Sequence, residues 1–196
     1  KRLITGMHFV DGTNIEKALY VNERTIAKDL PGDFLDNLLL KEAYRTESNF
    51  NEEVKVKDLE QARINLFGKN YEIIIPTDKE VGSCPVFKYN TEKRSYKRDS
   101  SECNITNDIS ISYDVVEARI IENKSITIYE AVAFIKDDKI YKKIDGSNNV
   151  SDEVKDVTTD GFNVLDNVKK LNQYKYTFTY DKDSNNYVFN SIELVK

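Results

Sequence analysis

Histidine occurs once in this chain, at position 8, so no multi-histidine metal centre can be built from it. A Ser-His-Asp or Cys-His mechanism would rest on that one residue near a terminus. There is no Walker loop, no G-x-G-x-x-G, no G-x-S-x-G and no H-E-x-x-H, so the familiar phosphate-binding, dinucleotide, hydrolase and zinc-protease signatures are absent. Tryptophan is missing as well, and with it the flat platform that sugar sites favour. No stretch approaches the roughly 18 apolar residues of a membrane span. Twenty-nine basic residues stand against 34 acidic ones, scattered without a basic face, so no nucleic-acid partner is expected. The motifs imply no cofactor and no metal. Glycine and proline are scarce, and the apolar fraction is lean but patterned, which suits a folded core rather than disorder.

What is present is organised around residues 112–144, which read as three consecutive β-strands joined by polar turns at 122–125 and 136–139. Val, Ile, Tyr and Phe dominate this meander, and neither Pro nor Gly interrupts it. Before it the spacing predicts helices. Pro31-Gly32-Asp33 opens one over 34–44, with Leu35, Leu38, Leu39 and Ala43 on one face. A second runs over 57–67, with Val56, Leu59, Arg63, Leu66 and Phe67 along one side and Gly68 as its C-cap. Residues 18–23 and 71–75 read as short strands, 45–53 as a polar linker and 145–160 as a polar stretch opening in a loop. Residues 161–171 read as a short helix or irregular segment. The chain ends in a hairpin, 174–180 with 186–195, whose Tyr174, Tyr176, Phe178 and Tyr180 alternate onto one face.

Cys84 and Cys103 flank a further hairpin. If Asn90 pairs with Lys93, Phe87 lies opposite Tyr96, and the same register returns Cys103 to Cys84. A disulfide there closes a loop of about 20 residues and stabilises by roughly 3 kcal/mol. It would also place the domain in an oxidising compartment. Two free thiols in a core are the alternative, and a redox pair lacks the close C-x-x-C spacing.

Two further strings resemble known sites. Asp11-Gly12-Thr13-Asn14 resembles the opening acid of PIN-like nucleases, but those need more acids on parallel strands, and these strands read antiparallel; a turn or helix start is expected. Asp181, Asp183 and Asn185 resemble the first half of a calcium loop. Asn186 stands where that loop needs Gly, and Ile192 where it needs Glu, so a hairpin turn is expected.

The candidate pocket residues are Glu117, Arg119 and Glu130. In the second meander strand Ile126, Ile128, Val132 and Phe134 share a face that Glu130 interrupts. If Glu122 pairs with Ser125, Glu117 falls opposite Glu130 with Arg119 one diagonal away, a carboxylate pair suited to acid–base work, to a ligand pocket or to an ion cluster. A one-residue change of register would put the two acids on opposite faces.

The strings SCPVFKYN at 83–90, IYEAVAFIKDDKIY at 128–141 and KYTFTYDKDSNNYVF at 175–189 resemble uncharacterised exported proteins of low-GC Gram-positive bacteria. That resemblance implies an outward-facing domain of a protein held by one N-terminal membrane helix or lipoprotein signal. The chain begins at Lys1 without Met, and such an anchor is expected to lie ahead of it. The order of helices, hairpin and long antiparallel strands is also similar to cystatin-like or nuclear transport factor two-like cones. The expectation is one α+β domain over 1–196, with residues 1–33 irregular. A curved antiparallel sheet of about five to seven strands should pack with two main helices. The expected function is a non-catalytic extracytoplasmic binding or interaction domain with a cell-surface or cell-wall partner or small ligand. A cone-type small-molecule enzyme using a pocket carboxylate is the alternative.

Overall fold

In the computed structural model the described residues are 16–46, 53–72, 86–99, 109–145 and 149–195. The fold is α+β, with a strongly curled antiparallel sheet and a small second sheet. The contacts divide the chain into two units, the first Lys1–Leu30, Asn107–Tyr180 and Phe189–Lys196, the second Pro31–Thr106 and Asp181–Val188.

The first unit is built on the meander. Strands β5 (Ser110–Ile121), β6 (Ser125–Lys136) and β7 (Lys139–Asp145) follow one another antiparallel. β8 (Asn149–Glu153) extends β7, while β9 (Asn172–Asp181), β10 (Asn186–Leu194) and β1 (Arg24–Ile26) add on the other side. β5 runs along one edge of β6 for nearly its full length. β9, opposite residues 125–132, and β7, opposite 134–136, therefore share the other edge. The turn at 136–139 is as expected. Asp137 and Asp138 both have positive φ (49° and 56°), the two-residue loop whose twist matches its strands. β6 alternates inward and outward, yet both of its faces are covered. Ile128, Glu130, Val132 and Phe134 are buried on one. On the other, Ala131 and Ala133 pack in a cluster with Ile140, Val154, Val164 and Leu171, over which the 3-10 helix Leu165–Lys170 contributes Val168. Tyr174, Tyr176 and Phe178 of β9 are buried on their shared face, as the alternation requires.

The second unit holds helices α1 (Gly32–Thr46) and α2 (Val56–Phe67) and a three-stranded sheet of β2 (Glu53–Lys55), β4 (Ser95–Asp99) and β3 (Val86–Asn90). Both helices fall within a residue or two of their expected spans. Their apolar faces supply Leu39, Leu40, Ala43, Leu59 and Ala62 to a core closed by Val54, Phe87 and Tyr96. At the start of α2 the Asp58 carboxylate accepts from the Lys55 N–H (3.1 Å). At its end the Arg63 guanidinium donates to the carbonyls of Gly68, Lys69 and Tyr71. Arg63 was expected on the apolar side of the helix; instead it satisfies C-terminal carbonyls. Gly68 ends the helix at φ 86°, ψ 169°, a region open in practice only to glycine. A Cβ there would stand 2.9 Å from the Asp181 carboxylate.

Several expectations are corrected. Residues 18–23 form no strand: a 3-10 helix occupies Glu16–Leu19, and the strand begins at Arg24. So the segment expected to be irregular carries two 3-10 turns and β1 within residues 16–30. β2 and β8, three and five residues long, fall where linkers were read, because so short a strand shows no usable periodicity. The hairpin of β3 and β4 closes through a four-residue loop, Asn90 pairing Ser95, so Tyr89 and not Phe87 faces Tyr96. The rings of Tyr89 and Tyr96 lie 5.0 Å apart. Cys84, Cys103, His8 and the Asp11–Asn14 string lie outside the described residues, as does most of 71–75. Among the described residues no helix is long and apolar enough to cross a membrane.

Candidate functional site

The sequence points first to Glu117, Arg119 and Glu130, and the structure separates them. Ile121 pairs with Ser125 across a three-residue turn, Glu122–Lys124, whose Asn123 has φ 54°. This moves the register by one residue from the expected pairing of Glu122 with Ser125. Glu117 consequently faces Tyr129, and Glu130 faces Val115, with Val116 the extra residue of a β-bulge between them. The two carboxylates project from opposite faces of the sheet. The expected carboxylate pair does not form.

Glu117 is exposed and chelated by its own neighbour. Arg119 donates from Nε (2.5 Å) and Nη2 (3.3 Å) to the two carboxylate oxygens. The guanidinium carbon also stands 5.4 Å from the Tyr129 ring centroid. The hydrogen bond from Arg119 holds the Glu117 carboxyl below the usual range, and the same contact raises the guanidinium.

Glu130 has no exposure at all. It sits at the centre of β6 beside Tyr174 of β9, with Tyr176 two residues along the same face. The third hydroxyl arrives from far away in sequence. Tyr20, just after the first 3-10 helix, donates from its hydroxyl to Glu130 Oε2 (3.3 Å) and lies 3.1 Å from the Tyr176 hydroxyl. Its ring meets Phe134 and Tyr174 edge-on at 5.6 and 4.9 Å. Burial pushes the Tyr174 hydroxyl up to about 12. Lys17, on the same short helix, is itself 1% exposed. The result is a hydroxyl-lined carboxylate sealed between aromatic rings. Such a group anchors the N-terminal segment on the sheet, since a buried carboxylate is tolerated only where it is hydrogen-bonded. Tyr20 and Tyr176 were missed as partners. The alternation of β9 placed Tyr176 on the correct face, but nothing local to Tyr20 signals an interaction 110 residues away.

The turn that resembles half a calcium loop is occupied by its own groups. Asp181 accepts from the Asp183 N–H (3.2 Å) and the Ser184 hydroxyl (2.6 Å), and these contacts, Ser184 foremost, lower its pKa. Asn186 donates to the Asn65 carbonyl (2.9 Å), tying the turn to α2 within the second unit. Among the described residues no group of three or more His, Cys, Asp or Glu side chains is arranged to hold a metal ion.

The feature that sequence reasoning missed is an edge. Of the seven large apolar side chains exposed among the described residues, four lie on β5: Tyr113 (37%), Val116 (39%), Ile120 (68%) and Ile121 (56%). Every residue from Val116 to Ile121 is exposed, so this half of the strand has both faces in water. Among the described residues β5 pairs with β6 alone. The signal was available as the run 115–121, apolar at both ends, but it reads equally as a buried strand. Comparison with protein-family models, with curated proteins and with solved structures finds no match to this chain.

Proposed function

We propose that the chain is a non-catalytic binding or interaction domain that works outside the cytoplasm, carried by a membrane-anchored bacterial protein. The observation that carries this reading is the exposed apolar edge of β5. Solvated Val116, Ile120 and Ile121, on a strand that among the described residues pairs along one edge, are the composition of a docking surface rather than of a settled exterior. The enzyme alternative needs a carboxylate that a substrate can reach and whose neighbour assists it. Glu130 is sealed, Glu117 is held in a salt bridge with Arg119 on the other face, and the two do not face each other. The outward location is supported by the resemblance to exported Gram-positive proteins and by the spacing of Cys84 and Cys103.

The test places a photoreactive side chain at position 120 of the complete protein in its own cells, with exposed Thr179 as the control position. Illumination should give a discrete adduct from position 120 and none from 179. Protease added outside intact cells should degrade the domain. Protection from that protease removes the outward location, and the absence of any adduct from position 120 removes the interaction reading.

A further inference from the structure

The sheet of the first unit ends in three outer strands, and they are not alike. β1 has three residues and carries Arg24 against Glu193 (3.7 Å). β8 has five, and its neighbour β7 meets it through Lys139 with Glu153 (3.2 Å) and Lys143 with Asp152 (2.9 Å). Short length and paired charges are how proteins keep an outer strand from recruiting another. β5 has 12 residues, and beside one charge pair, Glu117 with Arg119, and a bulge at Val116 it exposes apolar side chains at Val116, Ile120 and Ile121.

Its sequence from 115 to 121, Val-Val-Glu-Ala-Arg-Ile-Ile, is close to a palindrome with its central charges inverted. Two apolar residues stand at each end, an acid and a base flank Ala118, and the pattern reads the same from either direction apart from the sign. Laid antiparallel on itself about Ala118, the strand sets Glu117 opposite Arg119 of the other copy, and Val116 opposite Ile120. Opposite charges directly across a ladder attract, and β-branched pairs pack. Any register shifted by two residues sets Glu117 against an apolar residue or against a second Glu117. The charge pair is therefore satisfied in one register.

We infer that the β5 edge docks a second copy of this chain, antiparallel, about a two-fold axis through Ala118. This rests on the reading of the chain as an interaction domain and names its partner. The contact is isologous, so it closes at two copies and leaves no further β5 edge to extend. Two seven-stranded sheets become one continuous sheet, and Val116, Ile120 and Ile121 leave water against the other copy. The pairing covers about five residues of each strand, from Val116 to Ile120, roughly 17 Å, so association is weak and concentration-dependent.

The experiment is sedimentation velocity on the purified chain over a wide concentration range, with a non-reducing gel to confirm that no covalent dimer is present. The wild-type chain should pass from monomer to dimer as concentration rises. E117R and R119E should each stay monomeric, because like charges then face each other across the axis. Mixing the two variants, or combining both changes in one chain, should restore the dimer, because opposite charges face again. I120K should abolish it in every background. These positions are exposed, so circular dichroism and the thermal midpoint of each variant should match wild type. A wild-type chain that stays monomeric throughout, or single reversals that dimerise as well as wild type, overturns the inference. In the cross-linking experiment at position 120, an adduct of twice the chain's mass supports it. An adduct with a different protein overturns it and leaves the interaction reading standing, whereas the absence of any adduct removes that broader reading too.

Discussion

β5 and β6 are adjacent strands of one meander, each 12 residues long and each rich in Ile, Val and Ala, yet they live in different solvents. From Ile128 to Phe134, β6 has one residue, Tyr129, that is not fully buried, whereas from Val116 to Ile121 every residue of β5 is exposed. Composition does not separate them. Position does: β6 has strands on both edges and packed residues over both faces, and among the described residues β5 has one strand on one edge. The two glutamates repeat the lesson. Glu130 is held by the buried Tyr20 hydroxyl, Glu117 by an arginine in water. β-propensity says that a segment suits a pleated surface, and its neighbours decide how much of that surface stays wet.

The comparison breaks most visibly in the core. Phe134→Ala should cost about 3–5 kcal/mol in urea unfolding, while Ile120→Ala should stay within about 0.5 kcal/mol of wild type. Equal costs would mean that β5 is as buried as β6. The acids come next. Glu130→Ala removes the carboxylate to which the Tyr20 hydroxyl donates and should cost about 2–3 kcal/mol, with Glu117→Ala leaving the unfolding midpoint unchanged. Tyr174 gives a pH signature of similar size. Its hydroxyl pKa is raised by burial from an unfolded value near 10, so the fold favours the protonated form. That stabilisation is complete below about pH 10 and is lost as pH rises through about 12, by roughly 2–3 kcal/mol. Tyr174→Phe should flatten this alkaline loss, and an unchanged alkaline slope in the variant would place the sensitivity elsewhere. The smallest effect belongs to the turn between the strands. Asn123→Ala should cost about 1 kcal/mol, because alanine tolerates a positive φ less well than asparagine. A Gly at the same position should restore or exceed wild-type stability.

The helices were legible almost to the residue, since each carries an apolar face at helical spacing and a Pro-Gly or Gly stop beside it. The strands of the meander and the final hairpin were legible from their period of two. Their registers were only partly so. The Asp137–Asp138 loop admits one tight geometry, whereas the turns at Asn90 and Asn123 each take more residues than the shortest closure. Each miscount changes what a side chain faces, and the bulge at Val116 adds another. For that reason Glu130 was singled out correctly and given the wrong partner. Its actual partner, Tyr20, is set by tertiary packing of a segment that local propensity read as a strand. The exposed edge of β5 was illegible for the complementary reason: an apolar run announces burial, and only the strand order shows that nothing among the described residues supplies it.

The hydroxyl contact between Tyr20 and Tyr176 joins positions 156 apart in a chain of 196. A chain emerging from its N-terminus therefore presents Tyr20 long before Glu130 exists, and Tyr176 later still. The sealed centre cannot close before Tyr176 has been made, and the pairing of β1 with β10 waits longer still. Folding of this unit should be slow for its size, limited by the search that joins Tyr20 to Tyr176 rather than by the quick local pairing of the meander between them.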